Sequence, residues 1–215
     1  MMAVDGDVIL DEAALLVAAA LRPGLDEIEW LAALDRLAGD CPTPTATGVA
    51  RYLFDTLGFT GNQSSYYDWR NSCLDRVIAT RVGIPITLSV LMIEVARRLG
   101  VPLVGIGMPA HFIVGVVGDP DAFYDPFHGP DRLDRRAAAA LFHRVTGGGA
   151  TWSDDFLAAT SDRDIVIRML NNLRAVFTRR SDVVRLGIVM TLRAQVPELA
   201  AAEHSEIIAA TAPFN

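Results

Sequence analysis

The chain has 215 residues, 51% of them apolar and 21% charged, with a net charge of −7 and a pI near 5.0. This is the composition of a globular chain long enough to bury a substantial core, and it excludes a disordered one. An acidic surface repels phosphate backbones, so nucleic acid is not an expected partner. All 19 basic residues are arginine, which removes lysine from any covalent chemistry.

The two cysteines, Cys41 and Cys73, are too few for a disulfide framework, so reduced thiols and a cytoplasmic location are expected. The acidic start, Met-Met-Ala-Val-Asp-Gly-Asp, lacks the basic stretch of a signal peptide. The apolar run at 13–21 is too short to cross a bilayer, so no membrane association is expected.

In chain order, residues 8–21 and 25–38 read as amphipathic helices separated by Pro23-Gly24. The second carries Leu25, Ile28, Leu31, Leu34 and Leu37 as its apolar set. After a Pro/Thr-rich link at 41–45, a helix is predicted over 47–57, stopped by Gly58. Residues 60–70 form a polar, aromatic loop holding Tyr66, Tyr67 and Trp69. A capping box, Ser72 with Asp75, then starts a short helix ending near Arg81. Pro85 suits a first helical position, and the helix from 85 to 99 is apolar nearly all round, which predicts a buried central element.

Strand signals follow at 103–107, at 112–117 and from Phe123, with hairpin-length connections and a turn at 118–121. The sheet should therefore be antiparallel, and the continuous β-branched run at 112–117 predicts cover on both faces. Helices are predicted over 134–143, 163–179, 182–195 and 198–210, with a glycine link at 146–150.

His111 opens one strand and Asp125 closes the next, so adjacent antiparallel strands could set them side by side. The carboxylate would then orient the imidazole, as in a catalytic triad. Cys73, in a first helical turn, is the available nucleophile for such a pair; its alternative is a small buried apolar residue. Thr87 and Ser89 are weaker nucleophiles that in a helix usually bond back to a carbonyl. Asn71 and Asp68 read as caps or turn formers. His111, Asp125, His128 and His143 match no known metal-ligand spacing, so no metal or cofactor is expected. Gly147-Gly-Gly lacks the following Lys and Ser/Thr of a phosphate loop. His204 reads as a solvated residue on the last helix.

Five segments in order, Asn71-Ser-Cys-Leu, Arg81-Val-Gly-Ile-Pro-Ile-Thr-Leu-Ser, Ala96-Arg-Arg-Leu-Gly, Pro109-Ala-His-Phe and Asp125-Pro-Phe, resemble the SirB-type branch of the transglutaminase-like family. The resemblance covers about residues 10–200. It implies an α+β, papain-like fold in which a central helix packs on an antiparallel sheet between flanking helices. It also implies three segments: an N-terminal helical one at 1–60, a core at 61–150 and a C-terminal helical one at 151–215. In relatives the last resembles tetratricopeptide-type repeats, and it is shortened here.

In active members the catalytic cysteine starts the central helix, two residues after a glycine. Carried over, His111 and Asp125 match the histidine and aspartate, while the cysteine position falls on Pro85. The family's Pro-Gly-His-Phe is Pro-Ala-His-Phe here, with Ala110 in place of glycine. The resemblance therefore implies a domain without transglutaminase activity, whose cleft binds an unknown protein, peptide or small molecule. Asn71, Pro85, Thr87, Tyr67 and Trp69 are the expected cleft residues. The alternative is a hydrolase or acyltransferase using His111, Asp125 and Cys73.

Overall fold

In the computed structural model, which describes residues 8–201 and 203, the helix α5 (Pro85–Arg98) is the element around which the others pack. Every residue from Pro85 to Ala96 is buried. Pro85 occupies the first helical turn, where its fixed φ is already helical and no N–H is wasted. Gly100, at φ +69°, ends the helix in left-handed geometry that a side chain would resist.

Before α5 come α1 (Leu10–Leu21), α2 (Glu27–Gly39), α3 (Ala46–Ala50), which runs on as a π-helical stretch Arg51–Thr56, and α4 (Leu74–Thr80). Asp26 caps α2 by accepting from the N–H of Ile28. The apolar set of α2 is narrower than its sequence suggests. Leu34 is fully buried but Ile28 is 77% exposed. Residues three apart precess by about 60° per step around a 3.6-residue helix, so the row leaves the core-facing side.

The sheet is five-stranded and antiparallel, in the order β6-β5-β4-β3-β7. Its strands are β3 (Leu103–Ile106), β4 (Ile113–Val116), β5 (Asp119–Tyr124), β6 (Arg132–Leu133) and β7 (Ala159–Thr160). The segment 119–121, expected as a turn, belongs to β5. Val116 pairs with Asp119, so the reversal takes only Val117 and Gly118, the latter at φ +85°.

Val114 and Tyr124 join the main core on the α5 face, and Ile113 and Phe123 join a second cluster with Leu141 of α6 (Arg135–Val145). That alternation is why the strands read as continuously apolar: both faces are covered. The main core continues through α7 (Asp162–Arg179) to Val189 of α8 (Val183–Arg193) and Leu199. It includes Leu10 of α1, so the first and last described helices share it. Of the helix expected at 198–210, all but a few residues lie outside the described ones. No described helix is long and apolar enough to cross a membrane.

A two-residue parallel pair, β1 (Thr60–Gly61) with β2 (Val82–Gly83), ties the two ends of the loop and α4 together. A Cβ on Gly61 would lie 2.6 Å from the carbonyl oxygen of Phe127, so glycine is what lets this loop approach the turn after β5.

Candidate functional site

Asp125 closes β5 and begins a tight turn. Its Oδ1 accepts from the backbone N–H of Phe127 at 3.2 Å, and its carbonyl accepts from the N–H groups of His128 at 3.0 Å and Gly129 at 3.1 Å. This is an Asx-type turn, favoured by the Asp-Pro pair at its start. His111 follows β3 across a second turn, in which Ala110 sits at φ +61°. Its N–H donates to the carbonyl of Met108 at 3.2 Å.

The two turns bring His111 Nε2 to 3.0 Å from Asp125 Oδ1, with both side chains buried. A second imidazole joins from the same turn: His128 Nδ1 lies 2.6 Å from Asp125 Oδ2. The carboxylate accepts from both rings. Burial alone would raise the Asp125 pKa, but the hydrogen bonds and charge of His111 and His128 overturn that and hold it below the ordinary value. With its Nε2–H on the carboxylate, His111 has Nδ1 left as the basic nitrogen.

His111 also lines a polar cleft of about 210 Å³ with Tyr66, Pro85, Ala110, Arg168 and Asn172. Pro85 thus brings the first turn of α5 to the same cleft as the histidine. Arg168, from α7, donates through Nη2 to the carbonyls of Met108 and His111, each at 2.6 Å, and lies over the Phe112 ring at 5.4 Å. It holds the turn that presents His111. Burial lowers its pKa, the guanidinium having left water for backbone partners. Asp125 and His128 line a second cavity, of about 270 Å³, with Asp131 and Arg144.

The other expected site residues lie elsewhere. The Cys73 thiol is fully buried, 3.8 Å from the carbonyl oxygen of Trp69. Burial pushes its pKa up to about 12, with nearby arginines offsetting little of it. Cys73 is itself the N-cap of α4, without a side-chain cap bond. The expected box of Ser72 and Asp75 does not form, because buried Asp75 pairs with Arg22 instead. Asn71 does not line the cleft. Its amide donates to the carbonyls of Ser65 and Tyr66 and accepts from Asn62, so it shapes the loop that carries Tyr66 there.

Trp69 turns inward against Phe177, between the guanidinium groups of Arg70 and Arg185. Tyr67 is half exposed beneath Arg179, and its neighbour Tyr66 takes the cleft position. Thr87 is fully buried inside α5. His143 lies in the last turn of α6 and does not join His111, Asp125 and His128. Tyr66 belongs to the aromatic loop that the sequence singles out, whereas Arg168, Asn172 and the role of His128 are not evident from it. His128 had a signal, an imidazole three residues after Asp-Pro, where an Asx turn returns it to the carboxylate. Arg168, 57 residues beyond His111 on an otherwise ordinary amphipathic helix, had none.

The model of the Transglutaminase-like superfamily matches residues 13–171. The chain belongs to this superfamily. Among curated relatives, it is 46% identical over 136 residues to a UPF0162 protein of Xylella fastidiosa, covering 60% of this chain and 47% of that protein. A Vibrio cholerae UPF0162 protein is 35% identical over 131 residues, 60% of this chain and 48% of the relative. The chain thus spans about half the length of these relatives. Mouse F-box only protein 21 is 45% identical over 62 residues, 29% of this chain and 10% of that protein. No solved structure matches significantly. The matched region contains Pro85, His111, Asp125 and Arg168 and ends one residue before Asn172.

Proposed function

We propose that this chain is a SirB-type transglutaminase-like domain without transglutaminase activity, acting as a binding, regulatory or scaffolding module. What supports this reading is that Pro85 lines the same cleft as His111, at the position that the family resemblance assigns to the nucleophile. Proline offers no atom that can attack an acyl group, and Ile84 and Ile86 beside it offer none either. The base and its orienting carboxylate remain, 3.0 Å apart, without a thiol to activate.

The cleft suits a ligand that can meet an imidazole, a tyrosine and an amide at once: a peptide segment or a polar small molecule. A cytoplasmic setting agrees with two reduced, buried cysteines. The alternative, a hydrolase or acyltransferase using Cys73, would need a thiolate where burial opposes one. The test is amine incorporation into a glutamine-bearing peptide, with peptide and thioester hydrolysis measured in parallel. No turnover above buffer is expected. Turnover lost in Cys73→Ala would overturn the reading.

A further inference from the structure

His128 has no part in a Cys-His-Asp arrangement, yet its ring shares Asp125 with His111. We propose that His111, Asp125 and His128 form a binding site for a single divalent transition-metal ion of the zinc class.

One ligand atom from each of the three side chains lies within 4.8 Å of the others. Two nitrogen or oxygen ligands on a tetrahedral zinc ion at about 2.1 Å stand about 3.4 Å apart, so small side-chain rotations suffice. Two imidazoles and one carboxylate favour zinc, cobalt or nickel over magnesium or calcium, which prefer all-oxygen sets. Both rings now donate N–H to the carboxylate at 3.0 and 2.6 Å. Metal binding takes the lone pairs of those nitrogens, and each ring's proton moves to its other nitrogen.

The surroundings fit. The backbone N–H of Phe127 donates to Asp125 Oδ1 and fixes the carboxylate, the orienting contact that metal ligands usually have. Burial of His111 and Asp125 gives a rigid half, and the side chain of His128 is 39% exposed, giving an entry side. The cavity beside Asp125 and His128 leaves room for a water or ligand atom in the fourth position, with Asp131 on its wall. A metal role would account for a His–Asp pair in a cleft without a nucleophile.

The test is titration of untagged, chelator-treated protein with Zn²⁺ by calorimetry, alongside thermal unfolding with and without Zn²⁺. One equivalent should bind, and bound metal should raise the Tm by mass action. In His128→Ala, a change at a half-exposed ring that leaves the core intact, affinity should fall by about tenfold or more and the Tm shift at the same Zn²⁺ concentration should shrink with it. Asp125→Asn should do the same, provided its circular dichroism matches that of the wild type. Failure to bind one equivalent, or binding unchanged in His128→Ala, overturns the site.

Discussion

Arg168 holds the carbonyl oxygen of His111 at 2.6 Å, and the same nitrogen holds that of Met108. A residue of α7 therefore fixes the turn between β3 and β4 that aims the imidazole. Hydrogen bonds from a charged donor are worth about 1.5–3 kcal/mol each, and truncation would strand two carbonyls. Arg168→Ala should destabilise the fold by about 2–3 kcal/mol in urea unfolding. It should also broaden the His111 ring signals in NMR spectra, whereas a substitution at exposed Arg70 should not.

Ala110 stands at φ +61°, where an L-residue is strained by about 1–2 kcal/mol and glycine is not. Ala110 is exposed at the cleft rim. Ala110→Gly should therefore stabilise the protein, by about 0.5–1 kcal/mol once the added freedom of the unfolded glycine is subtracted. The result would be read as a higher urea midpoint at unchanged slope.

Glu94 is buried in α5, and its pKa is pushed up to about 7. Burial is the main cause and Asp11 adds to it. Arg97 and Arg98 offset part of this, while Asp162 raises it further. Arg98 also pairs with Asp11 and Asp35, and Arg97 with Asp162, so the cations around Glu94 are shared. A carboxyl with a raised folded pKa binds more protons when folded. Its ionisation therefore costs stability as pH climbs from about 4.5 to about 7, and the cost is complete above that. Wild-type stability should rise on the order of 2 kcal/mol from pH 8 to pH 5 relative to Glu94→Gln. Parallel pH profiles for the two proteins would refute this assignment.

Pro85→Cys would put a thiol at the start of a 14-residue helix, in the cleft shared with His111. Helix N-termini and neighbouring imidazoles both favour thiolates. With Cys73 and Cys41 replaced by alanine, this variant should alkylate rapidly at pH 7, and His111→Ala should slow it by about tenfold or more. Equal rates with and without His111 would mean that the base does not reach that position.

The central helix was legible because its cues agree: Pro85 at the start, Gly100 after the end and an apolar surface all round. The His111–Asp125 pairing was legible because two adjacent strands leave only one way to bring those ends together. Strands β6 and β7, two residues each, carry too little pattern to reveal a period. The cap at Ser72 was misread because Asp75 has a stronger partner, Arg22, more than fifty residues away in sequence. The cleft itself was half legible. Pro85 and His111 stand out in the sequence, but an aromatic loop does not reveal which of its rings faces the cleft, so Tyr67 and Trp69 read as equal to Tyr66.

The most direct measurement is alkylation of the native wild-type protein by a small thiol reagent across pH 5 to 9, followed by mass spectrometry. Cys73 is fully buried with its pKa pushed up to about 12, so it should stay unlabelled until the protein is denatured. Rapid native labelling of Cys73, with an apparent pKa well below the free-thiol value of about 8.5, would contradict the account and restore a cysteine enzyme.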